Sequence, residues 1–152
     1  MGLEATARVM LSISDSDSEG NATITDALTL AVGVSFTDGT GAESANVQWS
    51  DLRTLAGASE DLDLAGGITN RKGKVVTCTD AKAWAVRAPS TNAGDITLRF
   101  NPTNGWNVPC TGDIVLPPGS FILMGTAGAN GWAVTAGTKD ILRVMGASGY
   151  QY

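Results

Sequence analysis

Histidine is absent from the sequence, and this single absence removes several kinds of active site. Ser-His-Asp and Cys-His catalysis, most catalytic zinc sites and histidine-based pH switches all depend on an imidazole. The glycine motifs of phosphate-binding loops and of nucleophile elbows are missing as well. We therefore expect a protein that is not an enzyme and that holds no cofactor.

Cysteine and charge are scarce. Cys78 and Cys110 are the only two cysteines, too few for a four-thiolate metal site or a disulfide-rich scaffold, and we expect both to be free and buried. Charged residues make up 16% of the chain, and 15 acidic against 10 basic side chains leave a formal charge of −5. Because an acidic surface repels phosphate, no direct nucleic-acid partner is expected.

Long apolar runs are missing too. No stretch of 18 apolar residues occurs, and the N-terminus lacks the basic segment and apolar run of a signal peptide. These features predict synthesis in the cytoplasm and no membrane partner.

What the chain does have is strand-like alternation and many turns. Its 152 residues, 43% of them apolar and 19 of them glycine, fit one domain spanning residues 1–152. The lack of a long helix-period stripe disfavours a parallel α/β fold. Seven short β-rich runs separated by Gly, Pro and Asn predict an all-β antiparallel β-sandwich, with a jelly roll as the expected topology: Lys74–Thr79, Ala83–Ala88, Asp95–Phe100, Ile114–Leu116, Ser120–Met124, Trp132–Thr135 and Ile141–Met145.

The longest alternation lies near the N-terminus. Apolar residues occupy odd positions from Leu3 to Ile13, which predicts a half-buried strand, and residues 1–13 are a candidate arm that reaches a neighbouring subunit. After the polar segment Ser14–Asn21, alternation resumes on even positions. Asp26 interrupts this second series, and one long strand or two strands bent near Asp26 both fit.

The remaining segments are less regular. Asn46–Trp49 alternates over four residues and predicts a short strand, whereas Ser50–Ala65 fits either irregular structure or an edge strand. We expect twelve residues of the alternating runs to point inward: Ile24, Leu30, Val32, Val34, Val76, Val86, Ile96, Leu98, Ile122, Val134, Leu142 and Val144.

One acidic segment has the spacing of a calcium loop. Asp15, Asp17 and Glu19, with Asp26 eleven residues after Asp15, match the oxygen positions of that motif. Ala22 stands where the motif needs a large aliphatic residue, and the flanks are strand-like where it needs helices. We therefore favour a solvated acidic turn over a metal site.

A second acidic cluster contains the kind of carboxylate pair that glycosidases use: Glu60, Asp61 and Asp63. Alternation directs Asp61 and Asp63 to one side and Leu62 to the other, as on an exposed edge strand. An exposed edge is the favoured interpretation, and a carbohydrate-active enzyme is the weaker alternative.

The four tryptophans divide into two groups. Trp49, Trp84 and Trp132 lie in alternating runs, where tryptophan fills the core or packs between subunits. Trp106 lies in a loop, where an exposed indole marks a protein interface. The predicted interface residues are Val9, Leu11, Ile13, Trp49 and Trp106.

Six segments between Ser35 and Met145 form a recognisable pattern. The most specific is Trp132-Ala133-Val134-Thr135-Ala136-Gly137-Thr138-Lys139-Asp140-Ile141-Leu142, and the others are Asp38–Ala42, Trp49–Ala56, Ser59–Gly66, Ala93–Leu98 and Leu116–Phe121. Together these segments resemble a family of small tailed-bacteriophage virion proteins. The chain departs from the family pattern at the basic loop Arg71-Lys72-Gly73-Lys74 and at Pro117.

This resemblance implies a structural component of the virion with no active site, of the capsid decoration or cement type, on the outer surface of the capsid. Its implied partner is the major capsid protein. Separately, the chain has more alternating apolar positions than one small sandwich needs, which predicts self-association, with a homotrimer as the expected form. A receptor-binding module of the tail, fibre or vertex is the alternative, based on the loop residue Trp106 and on the number of strands, which resembles that of a jelly roll.

Overall fold

The computed structural model describes residues 2–19, 22–100 and 102–152; the side chains of residues 17–19, 22–24 and 26 lie outside this description. Every regular element in these residues is a β-strand, which confirms the all-β prediction. No helix in the described ranges is long and apolar enough to cross a bilayer. The strands are β1 (Ala5–Glu19), β2 (Ala22–Asp38), β3 (Ser44–Ala45), β4 (Ser59–Asp63), β5 (Ile68–Thr69), β6 (Val75–Val76), β7 (Asp80–Ala81), β8 (Ala83–Arg87), β9 (Ile96–Arg99), β10 (Ile114–Leu116), β11 (Phe121–Gly125), β12 (Trp132–Ala133) and β13 (Ile141–Met145).

The first two strands form one long antiparallel hairpin. Its register runs without a break from Ala5 opposite Phe36 to Glu19 opposite Ala22. The second strand is therefore one long strand, and the alternative of two strands bent near Asp26 is not observed. Of the candidate arm of residues 1–13, residues 5–13 are part of this larger element, a two-stranded ribbon about 50 Å long at about 3.3 Å per residue.

The rest of the described chain, residues 44–100 and 102–152, forms the body. Its main sheet has four antiparallel strands in the order β10, β9, β13, β4, and β8 pairs with β11, β7 with β12 and β5 with β6. Two predicted runs coincide with β10 and β13, and each of the other five overlaps one strand. These antiparallel sheets are consistent with the predicted sandwich, and the finer expectation of a jelly roll stays a prediction.

The core of the body lies on one side of the main sheet. Ile96 and Leu98 on β9 and Val144 on β13 have no exposed surface. Above them, the rings of Trp84, Phe100 and Trp106 lie with centroids 5.7 to 6.3 Å apart, in tilted and edge-on contacts. Full burial of each large apolar side chain contributes about 1.5–3 kcal/mol, so this cluster is the main source of the body's stability.

The prediction that twelve residues point inward is confirmed for six residues of the body and is wrong for two residues of the hairpin. Six of the twelve residues are buried, namely Val76, Ile96, Leu98, Val134, Leu142 and Val144. Val34, Val86 and Ile122 are half-buried. The prediction is wrong for Leu30 and Val32, which are 54% and 62% exposed, because no second layer of described residues covers the hairpin there. The side chain of Ile24 lies outside the described residues.

Two shorter segments complete the comparison with the sequence. The strand predicted at Asn46–Trp49 is wrong: residues 46–50 pair with no strand, and the preceding β3 pairs in parallel with the end of β2 instead. Ser50–Ala65 contains β4, an edge strand of the main sheet.

The two cysteines do not form a disulfide. Cys78 and Cys110 are both free, as predicted, and half-buried. Burial raises the pKa of the Cys78 thiol, which keeps it in the neutral form.

Candidate interaction surface

The hairpin carries a double row of apolar side chains on one side. Residues directly opposite each other in an antiparallel pair project to the same side of the sheet. The register places three apolar residues of β1 opposite three of β2, and we call these six side chains the hairpin face: Val9 opposite Val32, Leu11 opposite Leu30, and Ile13 opposite Leu28.

The hairpin face is open to solvent. The exposed fractions of its six side chains range from 40% for Val9 to 62% for Val32. Contiguous apolar surface of this kind is unusual on a folded protein and marks an interaction site. The face is therefore the strongest candidate for function in the described structure.

The other side of the ribbon is mostly polar. The hydroxyl oxygens of Thr6 and Ser35 lie 3.2 Å apart across the two strands, and Ser12 lies opposite Thr29. Met10, at 63% exposure, is the large apolar exception on this side. The ribbon is thus amphipathic, with one side suited to water and the other in need of a cover.

The base of the hairpin is fastened to the body. Gly125 of β11 lies so close that a Cβ added there would come within 3.2 Å of the Val34 side chain and 3.7 Å of the Ala7 side chain. The Glu43 amide donates to the Ala127 carbonyl at 3.0 Å. Phe36, at the end of β2, is buried. These contacts fix the base and leave the hairpin face uncovered.

The Lys82 ammonium makes a further link across the base. Its Nζ donates to the Gly41 carbonyl at 2.7 Å and to the Gly128 carbonyl at 3.1 Å, joining the loop after β2 to the loop after β11. A charged donor with two backbone acceptors gives a stronger link than a neutral hydrogen bond.

The five predicted interface residues separate into three groups. Val9, Leu11 and Ile13 lie together on the hairpin face. Trp49 is half-buried and packs against the core of the body. The prediction that Trp106 is an exposed loop residue is wrong, because Trp106 is 1% exposed and part of the core.

Two hydrogen bonds explain why Trp106 turns inward. Its backbone amide donates to the Ile141 carbonyl at 2.8 Å, which draws the loop onto β13. Its indole Nε1 donates to the Ala133 carbonyl at 2.9 Å, so the polar end of the ring is satisfied inside the protein.

Sequence reasoning missed half of the hairpin face by assigning Leu30 and Val32 to the core and by leaving Leu28 unassigned. A signal was present, since two alternating runs of similar length flank Gly20-Asn21, a two-residue connection typical of tight hairpins. Gly20 and Asn21 themselves lie outside the described residues.

The calcium-loop hypothesis stays untested. Asp15 is exposed and lies opposite Asp26 in the register, whereas the side chains of Asp17, Glu19 and Asp26 are outside the description. Within the described ranges, no group of three or more carboxylates and thiols is placed to hold a metal ion.

Two of the three acidic residues of β4 are paired with arginines. Arg53 Nε donates to Glu60 Oε1 at 3.0 Å and the Tyr152 hydroxyl donates to Glu60 Oε2 at 2.6 Å. Arg143 donates to both oxygens of Asp61, at 2.6 and 2.8 Å. These hydrogen bonds hold the pKa of Glu60 and the pKa of Asp61 below their ordinary values. A general acid requires the opposite shift, so this pairing suits cross-strand cohesion better than acid catalysis.

Asp63 has a local structural partner. Its Oδ1 accepts a hydrogen bond from the Ala65 amide at 2.8 Å, and the Gly67 amide donates to its backbone carbonyl at 3.2 Å. A Cβ on Gly67 would lie 2.5 Å from the Cβ of Asp63, so the turn requires glycine there. Asp63 therefore shapes the turn that follows β4.

Comparison of the chain with protein-family models, with curated proteins and with solved structures gives no match. The resemblance to phage virion proteins thus remains an interpretation of the sequence motifs.

Proposed function

We propose that this chain is a structural protein of a bacteriophage virion, without enzymatic activity, that decorates the capsid. In this proposal it binds the outer surface of the major capsid protein shell as a homotrimer and stabilises the shell. The hairpin face is the observation that carries the proposal, because an uncovered apolar surface of this length is useful only in an assembly.

The architecture supports a role in which the protein acts through the area of its contacts with other subunits. Contacts made across neighbouring capsid subunits exist only in the assembled shell, so by mass action they shift the equilibrium away from disassembly. A hairpin about 50 Å long reaches beyond the body that anchors it and is suited to bridging subunits. The formal charge of −5 also suits an outer surface, where it avoids trapping packaged DNA.

The motif that carries the virion resemblance has a structural part in this fold. In Trp132–Leu142, the Thr135 amide donates to the Lys139 carbonyl at 3.0 Å, and Gly137, at the turn, has a φ of 74°. The buried carboxylate of Asp140 accepts a hydrogen bond from the Gly137 amide. This bond holds the turn that lies between β12 and β13. The motif therefore has a structural role in the fold. A protein that acts by packing against other subunits needs such a role more than it needs an active site.

The two alternatives have less support. Of the two observations that favour a receptor-binding module, the strand count is unchanged, whereas the indole of Trp106 lies in the core. The carbohydrate-active enzyme was favoured by the acidic residues of β4, two of which are paired with arginines.

A shortened hairpin tests the proposed role in capsid binding. Replacing residues 10–31 by Asn-Gly joins Val9 to Val32 through a two-residue turn. Val9 and Val32 lie an even number of residues from the last described pair, Glu19 opposite Ala22, so the two pairs are of the same hydrogen-bonding type. We expect the full chain to saturate decoration-free capsids and the shortened chain to fold but bind with at least about tenfold lower affinity.

Copy number in purified particles provides the second measurement. Hundreds of copies per particle support decoration, whereas about a dozen or fewer overturn it in favour of a tail or vertex component. Equal capsid affinity of the full and shortened chains would contradict the role given to the hairpin.

A further inference from the structure

The occupant of the hairpin face can be inferred from its size, its charge and the order of its side chains. The exposed parts of its six side chains amount to roughly 500 Å² of apolar surface, which is near the upper end for the largest patch on a typical monomer. Two such faces in contact bury roughly 1,000 Å², the size at which specific interfaces begin. A second hairpin face is therefore a sufficient partner.

The face has no charge with which to select a different partner. From Ala5 to Ile13 on β1 and from Leu28 to Phe36 on β2, the residues on this side are Ala, Val, Leu, Ile and Phe. Copies of a chain with a charge of −5 repel each other over most of their surface, whereas this strip carries no charge as far as Ile13 and Leu28. The register places Asp15 next on the same side, so the uncharged contact ends there. The same apolar strip on a second copy of the chain is therefore chemically complementary to it.

The two rows of the face have matching side-chain sizes at every level. Starting from the base, β1 presents Val9, Leu11 and Ile13, and β2 presents Val32, Leu30 and Leu28 opposite them. In an assembly with rotational symmetry about an axis along the hairpins, equivalent residues of all copies lie at the same height. Each height would then hold one layer of like-sized side chains: a valine layer, a leucine layer and a layer of isoleucine and leucine.

We propose that the hairpin face of each chain is covered by the same face of other copies, whose hairpins run side by side around a shared axis. The β1 row of one copy packs against the β2 row of the next, so Leu11 of one chain contacts Leu30 of its neighbour. The inference rests on the self-association in the proposed function and not on binding to a capsid. It leaves the body, and the polar side of the ribbon, free to face other partners.

Cysteine cross-linking at adjacent residues on the two sides of the ribbon tests this arrangement. An equimolar mixture of Leu11→Cys chains and Leu30→Cys chains places the two thiols that the arrangement brings together on the hairpin face. The matched control is a mixture of Ser12→Cys chains and Thr29→Cys chains, which places the thiols on the opposite side. Under mild oxidation we expect the first mixture to give covalently linked chains, at least about tenfold more than the control. The parent chain, with Cys78 and Cys110, sets the baseline. Equal cross-linking of the two mixtures overturns the inference.

Sedimentation of charge variants provides an independent measurement. Leu30→Asp introduces a carboxylate into the leucine layer, whereas Thr29→Asp introduces one on the solvent side. We expect Leu30→Asp to raise the concentration of half-dissociation by at least about 100-fold and Thr29→Asp to leave it nearly unchanged. A parent chain that stays monomeric at millimolar concentration, or an oligomer that survives Leu30→Asp, overturns the inference.

These outcomes separate the inference from the proposed function. An oligomer that dissociates with Leu30→Asp supports the inference even where the parent chain fails to bind capsids, a result that overturns only the capsid role. A dimer with this behaviour supports the covered face and contradicts the homotrimer.

Discussion

The strands of the hairpin and of the body's main sheet both alternate apolar with polar residues. The apolar side chains are exposed in the hairpin and buried in the main sheet. In β9 and β13, alternate apolar residues such as Ile96 and Val144 have no exposed surface. In β1 and β2, equally regular alternation leaves Leu11 and Leu30 about half exposed. The difference lies in what faces the strands, because the body brings an aromatic cluster over its sheet and no described residue does so for the hairpin.

Alternation therefore specifies the side of a strand that is apolar, and it does not specify what covers that side. A cover requires a second layer, which comes from distant parts of the same chain in the body. An isolated two-stranded ribbon is only marginally stable in water, and the proposed contact between copies would supply a second layer for the hairpin.

The largest difference in stability between the two regions is expected when the same charge is introduced into each. Val144→Asp buries an unpaired carboxylate in a central strand and should remove several kcal/mol, about the whole stability of a small domain. Leu30→Asp should change the body's free energy of unfolding by less than about 0.5 kcal/mol when single chains are studied at low concentration. Urea unfolding followed by near-UV circular dichroism measures both. If Leu30→Asp unfolds the body as well, hairpin and body are one cooperative unit.

Large-to-small substitutions sharpen the comparison. Trp106→Ala leaves a cavity in the aromatic cluster and should cost about 3–5 kcal/mol, whereas Met10→Ala on the ribbon should cost less than about 0.5 kcal/mol. Trp106→Phe keeps most of the ring and loses the bond to the Ala133 carbonyl, so about 1–3 kcal/mol is expected. Thermal unfolding of the three variants gives the order, and equal losses for Trp106→Ala and Met10→Ala would contradict it.

The contact between the two regions can be tested at the hairpin base. Gly125→Val places side-chain atoms against Val34 and Ala7, and should cost about 1–3 kcal/mol by forcing the base of the hairpin to move. Gly57→Val is the matched control, because a Cβ there meets no atom within 4 Å and the residue lies outside the hairpin base. Amide hydrogen exchange should show faster opening of β1 and β2 in Gly125→Val alone. Unchanged exchange would mean that the base is not held by this contact.

The smallest effect concerns the ion pairs at the edge of the body. Because its arginine partner lowers the pKa of Glu60 in the folded state, the stabilisation is present at pH above the ordinary value of 4.5 and is lost as pH falls through the folded-state pKa. The side chains of Arg53 and Glu60 are 31% and 25% exposed, so solvent still screens the pair in part and the contribution is about 1 kcal/mol. Glu60→Gln should therefore destabilise the chain at pH 7 and match the parent in acid. Urea midpoints that differ equally at both pH values would contradict this.

The parts of the structure that sequence predicted well depend on local pattern, and those it missed depend on distant contacts. β10 and β13 coincide with their predicted runs because alternation between turn residues is a local property. Trp106 was misplaced because its burial depends on the Ile141 carbonyl, far along the chain. The apolar character of the hairpin was predicted, but its openness to solvent follows from the absence of a covering layer, which no local pattern encodes.

The pairing of the body has a consequence for the order of events during synthesis. The hairpin needs only residues up to Asp38, whereas β4 pairs with β13, and the Arg53 amide bonds to the Tyr152 carbonyl. At about 5–20 residues per second, on the order of 6–20 s pass between the completion of the hairpin and that of the body. During this interval, nascent chains on one messenger can expose finished hairpins to one another, so the first contact between copies is free to precede the folding of their bodies.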